Sequence, residues 1–227
     1  MTKGATMHLP FTADQFFDVF RRYNETVWPA QIALNVVALI AAGAAYRASA
    51  RRSVTWARSA IVLLSALWLW TGIVYFKLFF ATITPAGQVF GSFFIAEAVV
   101  LLLCAWEMGP QLEPPSRASC AVSAFILVYA LLLYPIAGIA AGQHYPALPT
   151  FGAPCPLTIF TFGVLAIFPS SISRVAIAVP VLWVLISSYA AFGFSVYEDF
   201  GLLAAAIAAI VVMHQETHRL RVAHVAA

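Results

Sequence analysis

Ser59-Ala-Ile-Val-Leu-Leu-Ser-Ala-Leu-Trp68-Leu-Trp70-Thr-Gly72-Ile-Val-Tyr75-Phe76-Lys77-Leu-Phe79 carries one charge, Lys77, near its far end. About 20 predominantly apolar residues cross a bilayer as one helix, so this stretch reads as a membrane span. Six more stretches share its character. Together they predict spans at residues 29–46, 59–79, 89–106, 118–141, 155–172, 175–192 and 200–213. The last is short, so six spans is the alternative count. The fold class expected is an all-α integral membrane protein, a bundle of about seven helices preceded by a short interfacial amphipathic helix.

Composition points the same way. Of 227 residues, 63% are hydrophobic and 9% charged, with 12 basic and 9 acidic side chains. A soluble domain carries about 25% charged residues. That excludes a water-soluble enzyme, a nucleic-acid-binding domain and a disulfide-stapled secreted domain.

The first 28 residues have no basic region leading into an apolar stretch and no small-residue cleavage site, so they do not read as a signal peptide. They predict one helix instead. Thr12 and Gln15 have the spacing of a capping box, with Phe11 before the cap. Phe16, Phe20 and Tyr23 then share one face, away from Asp14, Asp18 and Arg21. Such a helix, ending at Trp28-Pro29, fits the membrane interface. The chain divides into this amino-terminal helix (1–28), the bundle (29–215) and a basic cytoplasmic tail (216–227). It contains no internal repeat and no linker long enough to separate domains.

Arg47, Arg51, Arg52, Arg58, Arg117, Arg174, Arg219 and Arg221 fall on one side of these spans; Lys3, Arg21, Arg22 and Lys77 fall on the other. The positive-inside rule puts the amino terminus outside and the carboxyl terminus in the cytoplasm. Cys104 and Cys120 then face the reducing side and Cys155 the outer side, so no structural disulfide is expected.

Polar residues within spans carry the functional expectations, because they are expensive there. Counted from Val89, Glu97 lies roughly 12 Å deep at a rise of about 1.5 Å per residue. It either handles a proton or cation, or bonds a neighbouring helix, for instance through the Trp68 or Trp70 indole. Lys77 can snorkel to the interface. The seventh span has no lysine, which argues against a retinal protein.

The most unusual segment is Gly142-Gln-His144-Tyr145-Pro146-Ala-Leu-Pro149-Thr150-Phe-Gly152-Ala-Pro154-Cys155-Pro156-Leu-Thr158-Ile-Phe-Thr161. Its prolines and glycines forbid regular helix and fix a rigid path. Cys155, Thr158 and Thr161 recur every third residue and share a face. An ordered loop carrying His144, Tyr145 and Thr150 above such a bundle has the form of a binding site. The alternative is a re-entrant hairpin whose threonines bond their own helix. His144 and Cys155 form only a weak metal pair, since they lack fixed ligand spacing. The methionines do not cluster. His214, His218 and His224 accompany Arg219 and Arg221 as a solvated basic tail. Pro135 and Pro180 are expected to kink the fourth and sixth spans. No Walker loop, zincin, nucleophile elbow or dinucleotide motif is present, so no catalytic residue is named.

The chain resembles, over nearly its full length, a family of bacterial multi-pass membrane proteins catalogued only as a domain of unknown function. Pro10-Phe11-Thr12 with Gln15-Phe16-Phe17 carries the resemblance, with Tyr23-Asn24, Val27-Trp28-Pro29-Ala30-Gln31, Trp68-Leu-Trp70-Thr-Gly72-Ile, and Tyr145-Pro146 through Gly163. In similar sequences a histidine often follows the tyrosine matching Tyr75; this chain has Phe76 there, so no role of that histidine carries over. The resemblance implies an inner-membrane protein and no activity.

The leading expectation is a bundle that binds or moves a small solute or ion through an outward-facing polar cavity. The candidate ligand-binding residues are Trp70, Tyr75, Glu97, His144, Tyr145, Thr150, Cys155, Thr158 and Thr161. The second is a non-catalytic scaffold or accessory subunit. The third is metal binding or transport through Cys155 and His144. Membrane lipids are the expected partners, with a homo-oligomer or partner membrane subunit as further candidates. Neither a cofactor nor nucleic acid is expected.

Overall fold

The computed structural model describes residues 11–109, 112–168, 175–194 and 199–225. The expectations for Met1, Lys3, Met7, Pro10, Pro169 and Arg174 lie outside them, as does the end of the fifth expected span. Among the described residues the chain is all-helical, and a lone bridge between Phe151 and Ala153 replaces any strand.

The helices are α1 (Ala13–Val27), α2 (Ala30–Arg51), α3 (Val54–Thr82), α4 (Ala86–Glu107), α5 (Arg117–Ala140), α6 (Pro154–Leu165), α7 (Ala178–Phe194) and α8 (Phe200–Val225). Five of them, α2, α3, α4, α5 and α8, are long and apolar enough to cross a membrane. α6 and α7 are apolar but shorter, so among the described residues five helices rather than seven have the length of a span. The span expected to be short is the long α8. The fifth and sixth expected spans are the abbreviated ones.

α6 is short for a physical reason. Every residue from Pro154 to Leu165 is buried. It packs against α2, α3, α5, α7 and α8 as a central pillar. A short helix that is apolar all round belongs in a core. The longer helices carry the outer surface, where Leu39, Leu78, Phe125 and Ile207 stand exposed. Lipid tails suit such a surface as water does not.

α1 begins as expected: the Gln15 amide donates to Thr12 Oγ1 at 3.2 Å and the Thr12 amide to Gln15 Oε1 at 2.9 Å. Its aromatic face turns onto the bundle. Phe20 and Tyr23 sit with ring centroids 5.5 and 5.4 Å from Tyr75, and Tyr23 5.6 Å from Phe79. α3 and α4 cross closely at Gly72 and Gly91, where a Cβ on either would reach within 3 Å of the other's carbonyl oxygen. Small residues permit such a crossing in a membrane bundle.

Two helices widen into π-helical turns: α3 over Thr71–Phe79 and α5 over Tyr129–Leu133. The second precedes Pro135, which cannot donate to the helix ladder and so disturbs the turn before it. Pro180 does not kink α7. It lies in that helix's first turn, where proline is tolerated.

The two ends of the bundle differ. At one end lie α1 and the 141–153 loop; at the other lie the 112–116 segment and the end of α8. Arg58 donates to the Met108 carbonyl at 2.8 Å and Arg219 to the Pro114 carbonyl at 2.7 Å. α8 is tied at both ends. Asp199, just before it, accepts from the Tyr134 hydroxyl at 2.7 Å and the Cys155 thiol at 3.3 Å. Glu216 accepts from the Ser116 amide and the Ser119 hydroxyl, each at 3.0 Å, and pairs with Arg219 at 2.7 Å.

Candidate functional site

The cover of the bundle is built around Asn24 of α1, which is fully buried. Its amide donates to the Pro146 and Leu148 carbonyls at 2.7 and 2.8 Å. Its side-chain oxygen accepts from the Thr150 hydroxyl at 2.7 Å and the Gln31 amide at 3.3 Å. Its backbone carbonyl takes Gln31 at 2.9 Å and the Tyr145 hydroxyl at 3.4 Å. The proline-rich loop has few amides for its own ladder, so Asn24 supplies donors to its carbonyls.

The loop then reaches α3. Thr71 in the π turn donates to the Gly152 carbonyl at 2.9 Å. Gly152 has φ +103°, which favours glycine, and a Cβ there would meet the Tyr23 hydroxyl at 2.7 Å. The Trp70 indole donates to that hydroxyl at 2.9 Å. Burial pushes the Tyr23 phenol up to about 12, against the opposing pull of the Trp70 bond. It stays neutral and accepts this bond throughout the working pH range.

Below the cover lies a cavity of about 240 Å³. Aromatic rings wall it: Phe16 and Phe20 from α1, Tyr75 and Phe76 from α3, Phe90 from α4 and Trp183 from α7. The Phe76 and Phe90 rings lie edge-on to Trp183 at 5.2 and 5.5 Å. Its polar lining residues are Tyr75, Cys155, Ser187 and Asp199, with the Trp183 indole N–H. The Asp199 carboxylate holds the Cys155 thiol and the Tyr134 hydroxyl. The indole N–H and the Ser187 hydroxyl lie beside the Cys155 sulfur, but neither forms a hydrogen bond of good geometry. Both residues are more than nine-tenths buried.

The expected site residues do not come together in one place. Tyr75 and Cys155 line the cavity. Trp70, Tyr145 and Thr150 belong to the cover, whereas His144 is exposed on the loop. Thr158 and Thr161 donate to their own helix carbonyls, at Pro154 and Leu157. Thr161 also accepts from the Trp68 indole at 2.8 Å. Glu97 is buried in α4 and outside the cavity lining, and its Oε1 has no partner. The indoles expected to bond it are engaged elsewhere, Trp68 by Thr161 and Trp70 by Tyr23.

Asn24, Trp183, Ser187 and Asp199 were not among the expected residues. Their signals were faint: Asp199 adjoins a span, Ser187 lies within one, and Asn24 stood only in a motif carrying the resemblance. Among the described residues, no group of three His, Cys, Asp or Glu side chains is placed to hold a metal ion. The three cysteines are free.

Residues 13–224 match a family of unknown function, DUF6064, and the chain belongs to that family. No curated protein and no solved structure matches it.

Proposed function

We propose that this member of DUF6064 is an integral membrane protein that binds a small solute in the aromatic cavity beneath its α1 cover. The carrying observation is the pair of buried, unbonded donors, Trp183 Nε1–H and Ser187 Oγ–H, on an otherwise apolar cavity. Buried polar groups are nearly always bonded, and an exception calls for an absent partner. A cavity of about 240 Å³ exceeds the roughly 150 Å³ that accommodates a benzene ring. The outward-facing cavity expected from sequence therefore becomes largely apolar, with a small polar floor.

The loop arginines orient it with the cover outside and the end of α8 in the cytoplasm of a bacterial inner membrane. A fluorescent protein fused at Ala227 is expected to fluoresce; a dark fusion that is active as alkaline phosphatase reverses the orientation.

Thermal-shift screening of small apolar solutes against purified protein tests the binding. Ala86 lines the cavity and is half-buried. Ala86→Phe is expected to reduce the shifts given by ligands of the wild-type chain. Equal shifts in both proteins, across every solute, remove the cavity as the site.

A further inference from the structure

We infer that the cavity ligand is an uncharged one- or two-ring molecule carrying a hydrogen-bond acceptor, most simply a carbonyl, held between the aromatic walls and the Trp183–Ser187 floor. This rests on the cavity being the binding site.

The walls fix the body of the ligand. Phe16, Phe20, Phe76, Phe80 and Phe90 offer faces and edges but no polar atom, so most of the ligand surface meets carbon. The volume limits that body to one or two fused rings.

The floor fixes the polar end. An indole N–H only donates, and a serine hydroxyl beside it can donate as well. Both are buried without a hydrogen-bond partner on the cavity lining, and the sulfur of Cys155 there is only a weak acceptor. The Cys155 thiol proton is committed to Asp199 Oδ2 at 3.3 Å, and Asp199 Oδ1 receives Tyr134 at 2.7 Å. Neither the indole N–H nor the Ser187 hydroxyl has a partner at this end. A carbonyl oxygen has two lone pairs and can take both bonds at once. A hydrocarbon leaves both donors unmet, and a quaternary ammonium ion offers no acceptor.

Three probes of matched body separate these cases: 2-acetylnaphthalene, 2-ethylnaphthalene and a naphthylmethyl-trimethylammonium salt. Titration calorimetry in nanodiscs, against empty nanodiscs, compares wild type with Trp183→Phe and Ser187→Ala. The ketone is expected to bind about tenfold more tightly than the alkyl compound, a difference of about 1.4 kcal/mol. Each variant is expected to reduce the ratio of ketone to alkyl affinity severalfold, whatever it does to the affinity for the alkyl probe itself. Comparing variants cancels partition into lipid, and Ser187→Ala covers the case in which Trp183→Phe fails to fold. Equal binding of ketone and alkyl probes, or a preference unchanged in the variants, overturns the acceptor class but leaves the cavity reading intact. Preference for the cation also overturns it. Failure of all three probes to bind overturns the cavity reading itself.

Discussion

Asn24 and the cavity floor lie at the same end of the bundle, and both are buried and polar, yet they are built oppositely. Around Asn24 both side-chain polar atoms and the backbone carbonyl have partners. At the floor, two donors lack a bond of good geometry. A network whose centre is fully bonded holds a rigid piece of structure, although the Oε1 of Gln31 at its edge is unpartnered. An incomplete one next to empty space is prepared for something that arrives from outside. Glu97 is a third case: its Oε1 is unpartnered, and it is outside the cavity lining.

The largest expected effect is at Asn24. Asn24→Leu strands the Pro146 and Leu148 carbonyls and the Thr150 hydroxyl, and is expected to lower stability by about 3 kcal/mol. Denaturant unfolding in detergent measures it. A loss below about 1 kcal/mol would break the contrast, because the loop would then be held by other contacts.

An intermediate effect is expected at Glu97. Glu97→Gln keeps the shape and most bonding capacity, so stability should change by about 1 kcal/mol or less. A markedly larger loss in the same unfolding assay would place Glu97 with Asn24 as a structural group. Intact stability with abolished ligand binding would instead couple it to the cavity.

The smallest stability effect belongs to the floor. Ser187→Ala removes a hydroxyl that has no partner, so unfolding should shift by no more than about 0.5 kcal/mol. A loss above about 2 kcal/mol would mean that this hydroxyl is bonded, and the contrast would be lost.

What the sequence makes legible follows from the range of each interaction. Thr12 and Gln15 are three residues apart, and their capping box can be read directly. The apolar periodicity marks the helices, and the proline-rich loop marks itself. Asn24 meets partners about 120 residues away, at Pro146 and Leu148, and no local pattern encodes that pairing. Cys155 was legible because it sits between prolines, but its partner Asp199 comes from another helix. α6 misled because a fully buried helix and a spanning helix carry the same apolar signal.

α8 has a consequence of its own. Its tether points, Asp199 and Glu216, are separated by about 26 Å at a helical rise of about 1.5 Å per residue. That is close to the hydrocarbon thickness of a bilayer, about 30 Å. Sliding the helix by one turn would detach a carboxylate from its hydroxyl donors at one end or the other. The helix therefore acts as a fixed gauge of depth, and in a thicker or thinner membrane the lipid has to adjust to the protein.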